Sequence, residues 1–167
     1  MRSIVRTIFL ALVVATVLAA LPYRAQAIKL DKVVEQIGPY KLGTSYEVMK
    51  NLAGFTLDKG RTHPEQGIVA AKIIDQRVAN TRTIQRFTFR QGQLARVSII
   101  FHPPQQWTEE AVRGWLLSQW GNPGPKEKVG DQLIYVWKMR TTYAVILPAD
   151  GGRWMASIQM DPFGTSR

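Results

Sequence analysis

The chain has 167 residues, a net charge of +10 and no cysteine. The missing cysteine excludes disulfides, thiolate nucleophiles and cysteine metal sites, and the length suits a domain that buries its own core. The positive charge favours anionic partners, such as phospholipid or lipopolysaccharide head groups, acidic proteins or nucleic acid.

The N-terminus has the pattern of a bacterial export signal. Arg2 and Arg6 precede an apolar run over residues 8–21, and Ala25-Gln26-Ala27 supplies the small-x-small pattern that signal peptidase cleaves. An uncleaved anchor is the alternative, but the run is shorter than the roughly 20 residues that span a bilayer. We therefore predict a signal peptide over residues 1–27 and a periplasmic or secreted mature chain that begins at Ile28.

Cleavage changes the expected partners. Three arginines and no carboxylate leave with the signal peptide, so the net charge falls from +10 to +7. Export disfavours nucleic acid as a partner, and no motif of a nucleic-acid module is present. The cleavage site also lacks the cysteine that lipoproteins acylate, which predicts a soluble protein with no transmembrane segment after cleavage.

The mature chain opens with a lead-in segment, residues 28–42, and a first helix. Four apolar residues at helical spacing predict a short helix in the lead-in: Leu30, Val33, Val34 and Ile37. Thr44 and Glu47 then have the form of a capping box, which predicts a helix that ends at Gly54. A strand is predicted over Ile68–Ile74.

The stretch from Asn80 to Phe101 predicts a β-hairpin. Alternation places Phe87 and Phe89 on the same face as four apolar residues of the second strand: Ala95, Val97, Ile99 and Phe101. A two-residue turn at Gln91-Gly92 would pair Phe87 with Arg96 and send the two apolar sets to opposite faces, so we expect an odd loop. The loop 90–92 would oppose Arg86 to Arg96, whereas the loop 91–93 would oppose Arg86 to Ser98.

The other face of this hairpin is the candidate binding surface. No carboxylate lies between Asp75 and Glu109, a stretch that holds five arginines. A merely solvated face is the first interpretation, because antiparallel sheets often expose one side to water. An anion-binding or acidic-partner surface is the competing hypothesis, favoured by the missing carboxylates. Six residues form this predicted site: Arg82, Arg86, Thr88, Arg90, Arg96 and Ser98.

The second half repeats this order of elements. Thr108 is the predicted N-cap of a helix with acidic residues in its first turn and an apolar stripe that ends at Trp120. Three strands are predicted after it: Leu133–Met139, Thr142–Leu147 and Trp154–Met160.

These elements predict an α+β fold. We expect a single domain over residues 43–167, with an antiparallel sheet and two helices packed on one of its faces. The parallel order of elements further predicts two tandem helix-plus-three-strand units, with pseudo-repeats at about 43–102 and 107–161.

Three short motifs carry a resemblance to known proteins: Leu42-Gly43-Thr44 with Glu47, the hairpin residues 87–97, and Trp120-Gly121-Asn122-Pro123. In these the chain resembles small bacterial envelope modules, the BamE/SmpA-type lipoproteins and the tandem-repeat β-lactamase inhibitor proteins. The resemblance implies a non-catalytic binding role through a sheet face or edge. The chain departs from BamE-type proteins because it has no cysteine for a lipid anchor.

We predict no catalytic residues, no bound metal and no cofactor. The chain has no nucleophile elbow, zinc-protease motif or phosphate-binding glycine loop. A metal or acid–base site from His63, Glu65 and His102 is the enzymatic alternative. The leading hypothesis is an envelope protein–protein interaction module with an inhibitor or assembly role, and the second is binding of anionic lipid or glycan by the arginine face.

Overall fold

The structure is a computed structural model that describes residues 35–139 and 141–160. The predicted signal peptide and the first part of the lead-in segment lie outside the described residues. Within the described part of the chain, no helix is long and apolar enough to cross a membrane.

Strands account for most of the regular structure. The two α-helices of the described residues are α1 (Tyr46–Met49) and α2 (Glu109–Trp120). The strands of the first half are β1 (Gln36–Ile37), β2 (Tyr40–Lys41), β3 (Thr56–Leu57), β4 (Ile68–Val78), β5 (Thr81–Arg90) and β6 (Gln93–Phe101). Those of the second half are β7 (Glu127–Val129), β8 (Gln132–Ile134), β9 (Val136–Lys138), β10 (Thr142–Ala149) and β11 (Arg153–Met160).

Seven strands form one antiparallel sheet in the order β3-β4-β5-β6-β11-β10-β9. The predicted hairpin, β5–β6, lies in the middle of this sheet, where β6 pairs with β11. Each half of the chain therefore contributes one meander, and the two meanders meet at their last strands. The predicted pair of helix-plus-three-strand units is wrong, because the first meander has four strands (β3–β6) and the second has three (β9–β11). The pseudo-repeat ranges stay a prediction.

The inner face of the sheet is the hydrophobic one. Its central row crosses six strands through Ala71, Phe87, Val97, Ile158, Ala144 and Trp137. Helix α2 packs on this face through Val112, Leu116 and Trp120, each at most 2% exposed. Hairpin β1–β2 and helix α1 join the same core through Ile37 and Met49.

The predicted fold class is wrong. The described chain is mostly β, and only one of its helices is longer than a single turn. The first half lacks a long packing helix because α1 ends at Met49, five residues before Gly54, where the capping signals predict its end. Its N-cap is Ser45, while the Thr44 hydroxyl donates instead to the carbonyl of Lys41 at 2.7 Å.

The described part of the lead-in segment also differs from the prediction. Residues 36–41 form the β1–β2 hairpin, which turns at Gly38 in the left-handed region (φ +54°). Helix α2, in contrast, begins after Thr108 as predicted. The Thr108 side chain accepts a hydrogen bond from the backbone N–H of Ala111 at 3.3 Å.

The strand predicted over Leu133–Met139 is divided in two. Residues 136–138 join the main sheet as β9, but residues 132–134 leave it and pair with β7. The turn at Gly130-Asp131 allows this, since Gly130 adopts a positive φ of 61°. We call the resulting two-stranded element, β7–β8, the ribbon.

Candidate functional site

The outer face of the sheet is opposite α2, and its central row carries Lys72, Arg86, Ser98, Ser157, Val145 and Val136. Strand β5 places its arginines there because its alternate residues Thr83, Gln85, Phe87 and Phe89 are buried on the inner face. All five even-numbered residues of β5 therefore lie on the outer face.

The hairpin reaches this arrangement with the two-residue turn that the alternation argument disfavours. The loop has two residues, Gln91 and Gly92, both with positive φ. A β-bulge then places Ala95 as an extra residue, because Phe89 pairs with Leu94 but Thr88 pairs with Arg96. The predicted odd loop is wrong, and the odd residue lies inside β6 rather than in the turn.

The register decides which charges are neighbours. Arg86 lies opposite Ser98, which is one of the two pairings that the sequence left open. The like-charged neighbours are instead on the other side of β5, where Lys72 opposes Arg86 and Arg77 opposes Arg82. Such directly opposed like charges destabilise a sheet by a fraction of a kcal/mol per pair.

Five of the six predicted site residues are divided among three hollows on the outer face, and Arg86 lines none of the three. Arg82 lines a hollow of about 500 Å³ with Arg77 and His102. Thr88, Arg90 and Arg96 meet in a second hollow of about 760 Å³. Arg96 and Ser98 line a third, of about 540 Å³, which extends towards the ribbon. Arg86 lies between these hollows and is half-buried.

Ser98 differs from the other five residues in its exposure and its bonding. It is only 6% exposed, and its hydroxyl is 2.9 Å from the hydroxyl of Ser157 on β11. We therefore assign Ser98 a structural role, because this hydrogen bond links β6 of the first meander to β11 of the second.

In the described part of the chain, the arginines of this surface form no direct ion pair, although Asp75 lines the same hollow as Arg82. Arg82, Arg90 and Arg96 are exposed, and together with Arg86 they make no ion pair within 4.0 Å with any carboxylate of the described residues. Burial lowers the pKa of Arg86, and the positive charge of Arg61 lowers it further. Asp58 and Asp150 act in the opposite direction from a longer distance.

The ribbon forms a groove with the outer face of β9–β11. The ion pair between Lys138 Nζ and Glu127 Oε2, at 2.9 Å, links β9 to the ribbon. The base of the ribbon is held to α2 by a second ion pair, at 2.8 Å between Lys126 Nζ and Glu109 Oε2. We call the cavity of about 540 Å³ between the ribbon and the outer face of β9–β11 the ribbon groove. Its lining includes Ile134, Val136, Val145, Leu147 and Met155.

The ribbon groove was missed because β7 was not predicted. The glycines and prolines of residues 121–125 indicate only the end of α2, and β7 begins two residues after them. The signal that was available is Gly130-Asp131 between two short alternating segments, a typical two-residue hairpin turn.

The enzymatic alternative is not brought together as one site. His63 Nδ1 lies 3.5 Å from Glu65 Oε1 on the surface. His102 is bonded elsewhere, with its Nε2 at 2.9 Å from Arg153 Nη1. Within residues 35–139 and 141–160, no group of three histidine, aspartate or glutamate side chains could hold a metal ion.

Comparisons with family models, curated proteins and solved structures give no significant match to this chain. The resemblance to small envelope modules therefore stays a prediction, and the functional argument rests on the outer face.

Proposed function

We propose that this protein is an exported, non-catalytic binding module of the bacterial cell envelope, whose outer sheet face binds anionic lipid. The observation that carries the proposal is the set of exposed arginines, Arg82, Arg90 and Arg96, on one sheet face without carboxylate partners in the described residues. Export is supported by the pattern of residues 1–27.

A guanidinium group suits binding better than catalysis. It stays protonated at physiological pH, so it offers donors for phosphate oxygens but no general base. Each basic residue close to an anionic membrane surface contributes about 1 kcal/mol to binding. The opposed pair Lys72–Arg86 costs stability in the free protein, and a bound anion would relieve that repulsion.

Binding through a sheet edge is less favoured by the geometry. The outermost strands, β3 and β9, have only two and three residues, which leaves little backbone for an added strand. The face of the sheet, in contrast, spans long strands such as β4 and β5.

The test is flotation of the protein with vesicles of phosphatidylglycerol and phosphatidylcholine, against phosphatidylcholine alone. We expect binding only to the anionic vesicles, with affinity that falls steeply as salt is raised, because exposed charges are screened. Replacing Arg82, Arg90 and Arg96 together by glutamine should weaken binding about a hundredfold.

A matched control removes the same charge from elements that cover the inner face. Lys41→Gln, Lys50→Gln and Arg113→Gln together lose three positive charges from residues whose partners are Glu35, Glu47 and Glu110. This variant should bind nearly as the wild type does. Equal losses in both variants would mean that only net charge matters and would overturn the assignment to the outer face. Capture of one envelope protein at moderate salt, without vesicle binding, would favour the protein-partner hypothesis instead.

A further inference from the structure

The floor of the ribbon groove changes from polar to apolar along the strands. Three rows of outer-face residues follow directly from the pairing of β6, β11, β10 and β9. The first row is Arg96, Gln159, Tyr143 and Lys138; the second is Ser98, Ser157, Val145 and Val136; the third is Ile100, Met155 and Leu147. Since two residues of a strand span about 6.7 Å, the floor measures about 13 Å from the first row to the third.

The roof continues the apolar part of the floor. Ile134, at the end of the ribbon, lines the groove and is only 3% exposed. Val129, from the other ribbon strand, also lines it and is 54% exposed, so one side of the groove reaches solvent. A ligand can therefore lie between two apolar surfaces and still enter from the side.

The two cations at the polar end, Lys138 and Arg96, differ in whether a carboxylate already pairs with them. Lys138 is already paired with Glu127 at 2.9 Å. Arg96 is exposed, has no ion pair in the described part of the chain, and shares the neighbouring hollow with Arg90. An anion at this end would meet the Arg96 guanidinium beside an apolar channel, with Arg90 in the neighbouring hollow.

We propose that the ribbon groove binds the hydrocarbon chain of a single-chain anionic amphiphile, with the carboxylate or phosphate of that molecule held at Arg96. The inference rests on the proposed function for its anionic end, and it adds that the acyl chain leaves the bilayer or micelle and enters the protein. A volume of about 540 Å³ falls in the range of small-molecule sites, roughly 300–1,000 Å³.

The first test uses the unmodified mature protein and a series of saturated fatty acids from octanoate to hexadecanoate, each kept below its micelle concentration. Each buried methylene should strengthen binding about fourfold. The gain should stop once the chain exceeds the length of the floor, whereas partition into a bilayer would continue to rise. Calorimetric titration measures the affinities, and a flat series would overturn the proposal.

The second test separates the two ends of the ligand. Arg96→Gln should weaken dodecanoate about tenfold or more but leave dodecanol unchanged, because only the first carries a charge. Val145→Asp, on the central row, should weaken both ligands. Val48→Asp is the control: Val48 is 61% exposed on α1, away from the groove, and its replacement should change neither affinity.

The methyl groups of the floor give a readout that does not depend on these variants folding. In nuclear magnetic resonance spectra of the unmodified protein, dodecanoate should shift the methyl signals of Val145, Leu147 and Met155. Shifts confined to residues of the inner face would overturn the proposal. Binding to anionic vesicles without a chain-length effect would support the arginine surface and reject the groove. A chain-length effect in a protein that does not bind anionic vesicles would support the groove and reject the arginine surface as a lipid site.

Discussion

The inner and outer faces of the sheet differ in the sign of the interaction between side chains on neighbouring strands: it is favourable packing on the inner face and includes charge repulsion on the outer face. On the inner face, Phe87 lies between Ala71 and Val97 and is 1% exposed. One residue earlier on the same strand, Arg86 lies between Lys72 and Ser98, where the lysine repels it. Adjacent residues of β5 therefore serve different purposes: the inner set stabilises the fold, whereas the outer set holds positive charge at some cost to stability.

The largest expected effect comes from removing an inner aromatic ring. Phe87→Ala should lower the free energy of unfolding by about 3–5 kcal/mol, because it leaves a cavity beside Tyr40, whose ring centroid lies 4.9 Å away. Urea denaturation measures this loss. Arg86→Ala should change stability by no more than about 0.5 kcal/mol, because its pairing is like-charged and its side chain is not in the core. Equal losses at the two positions would contradict the division between the faces.

A substitution in the turn of the central hairpin should lower the free energy of unfolding by a smaller amount, because it strains the backbone. Gly92 has φ +75° with no other atom within 4 Å of an added Cβ, so Gly92→Ala introduces strain without a clash. We expect a loss of about 1–2 kcal/mol in the free energy of unfolding.

The control for this turn is a glycine in a regular helix. Gly114 in α2 also has open space around an added Cβ and shows no positive φ. Gly114→Ala should stabilise the protein by about 0.5–1 kcal/mol, so the two substitutions should have opposite signs. Thermal unfolding of both variants measures these changes. A Gly92→Ala variant as stable as the wild type would show that the positive φ at position 92 does not require glycine.

A charge reversal on the outer face should separate stability from binding. Lys72→Glu replaces a repulsive neighbour of Arg86 by an attractive one, which should add about 0.2–1 kcal/mol to the free energy of unfolding. The same change should weaken binding to anionic vesicles. Lys50→Glu is the comparison at the C-cap of α1, since Lys50 pairs with Glu47 on the opposite side of the molecule; it should not raise stability. A Lys72→Glu variant that binds as well as the wild type would argue that the outer face is only a solvated surface.

The sequence was sufficient to predict that Arg86 and Arg96 face outwards, but it wrongly placed Ala95 on the inner face. Leu94 is buried there instead, and Ala95 lines an outer hollow. Alternation of Phe87, Phe89, Val97 and Ile99 requires one extra residue, and counting residues alone does not say whether that residue lies in the turn or in a strand. A two-residue turn with a bulge at Ala95 and an odd loop satisfy the same pattern.

The errors in helices and in the groove have a common physical origin. The short helix α1 was predicted to be longer because local capping signals at Thr44 and Glu47 ignore the backbone bonds that this segment makes to the hairpin, such as Tyr46 N–H to the carbonyl of Gly92 at 2.8 Å. The ribbon groove depends on packing between residues far apart in sequence, since Arg96 and Ile134 line the same cavity. Local patterns carry no information on such contacts.

The smallest expected effect concerns pH and the rim of the outer face. The pKa of His102 is lowered by burial and, secondly, by the Arg153 guanidinium, whose Nη1 lies 2.9 Å from His102 Nε2, whereas Asp75 acts in the opposite direction. The neutral imidazole is therefore favoured in the folded state. Its contribution to stability is complete above the unfolded pKa of about 6.5 and is lost as the pH falls through that value towards the lower folded pKa. Between about pH 7.5 and about pH 5.5, the wild type should lose more stability than His102→Gln, which cannot titrate but can still accept from Arg153. Thermal unfolding at the two pH values measures the difference, and identical losses in the two proteins would show that His102 does not couple protonation to the Arg153 contact.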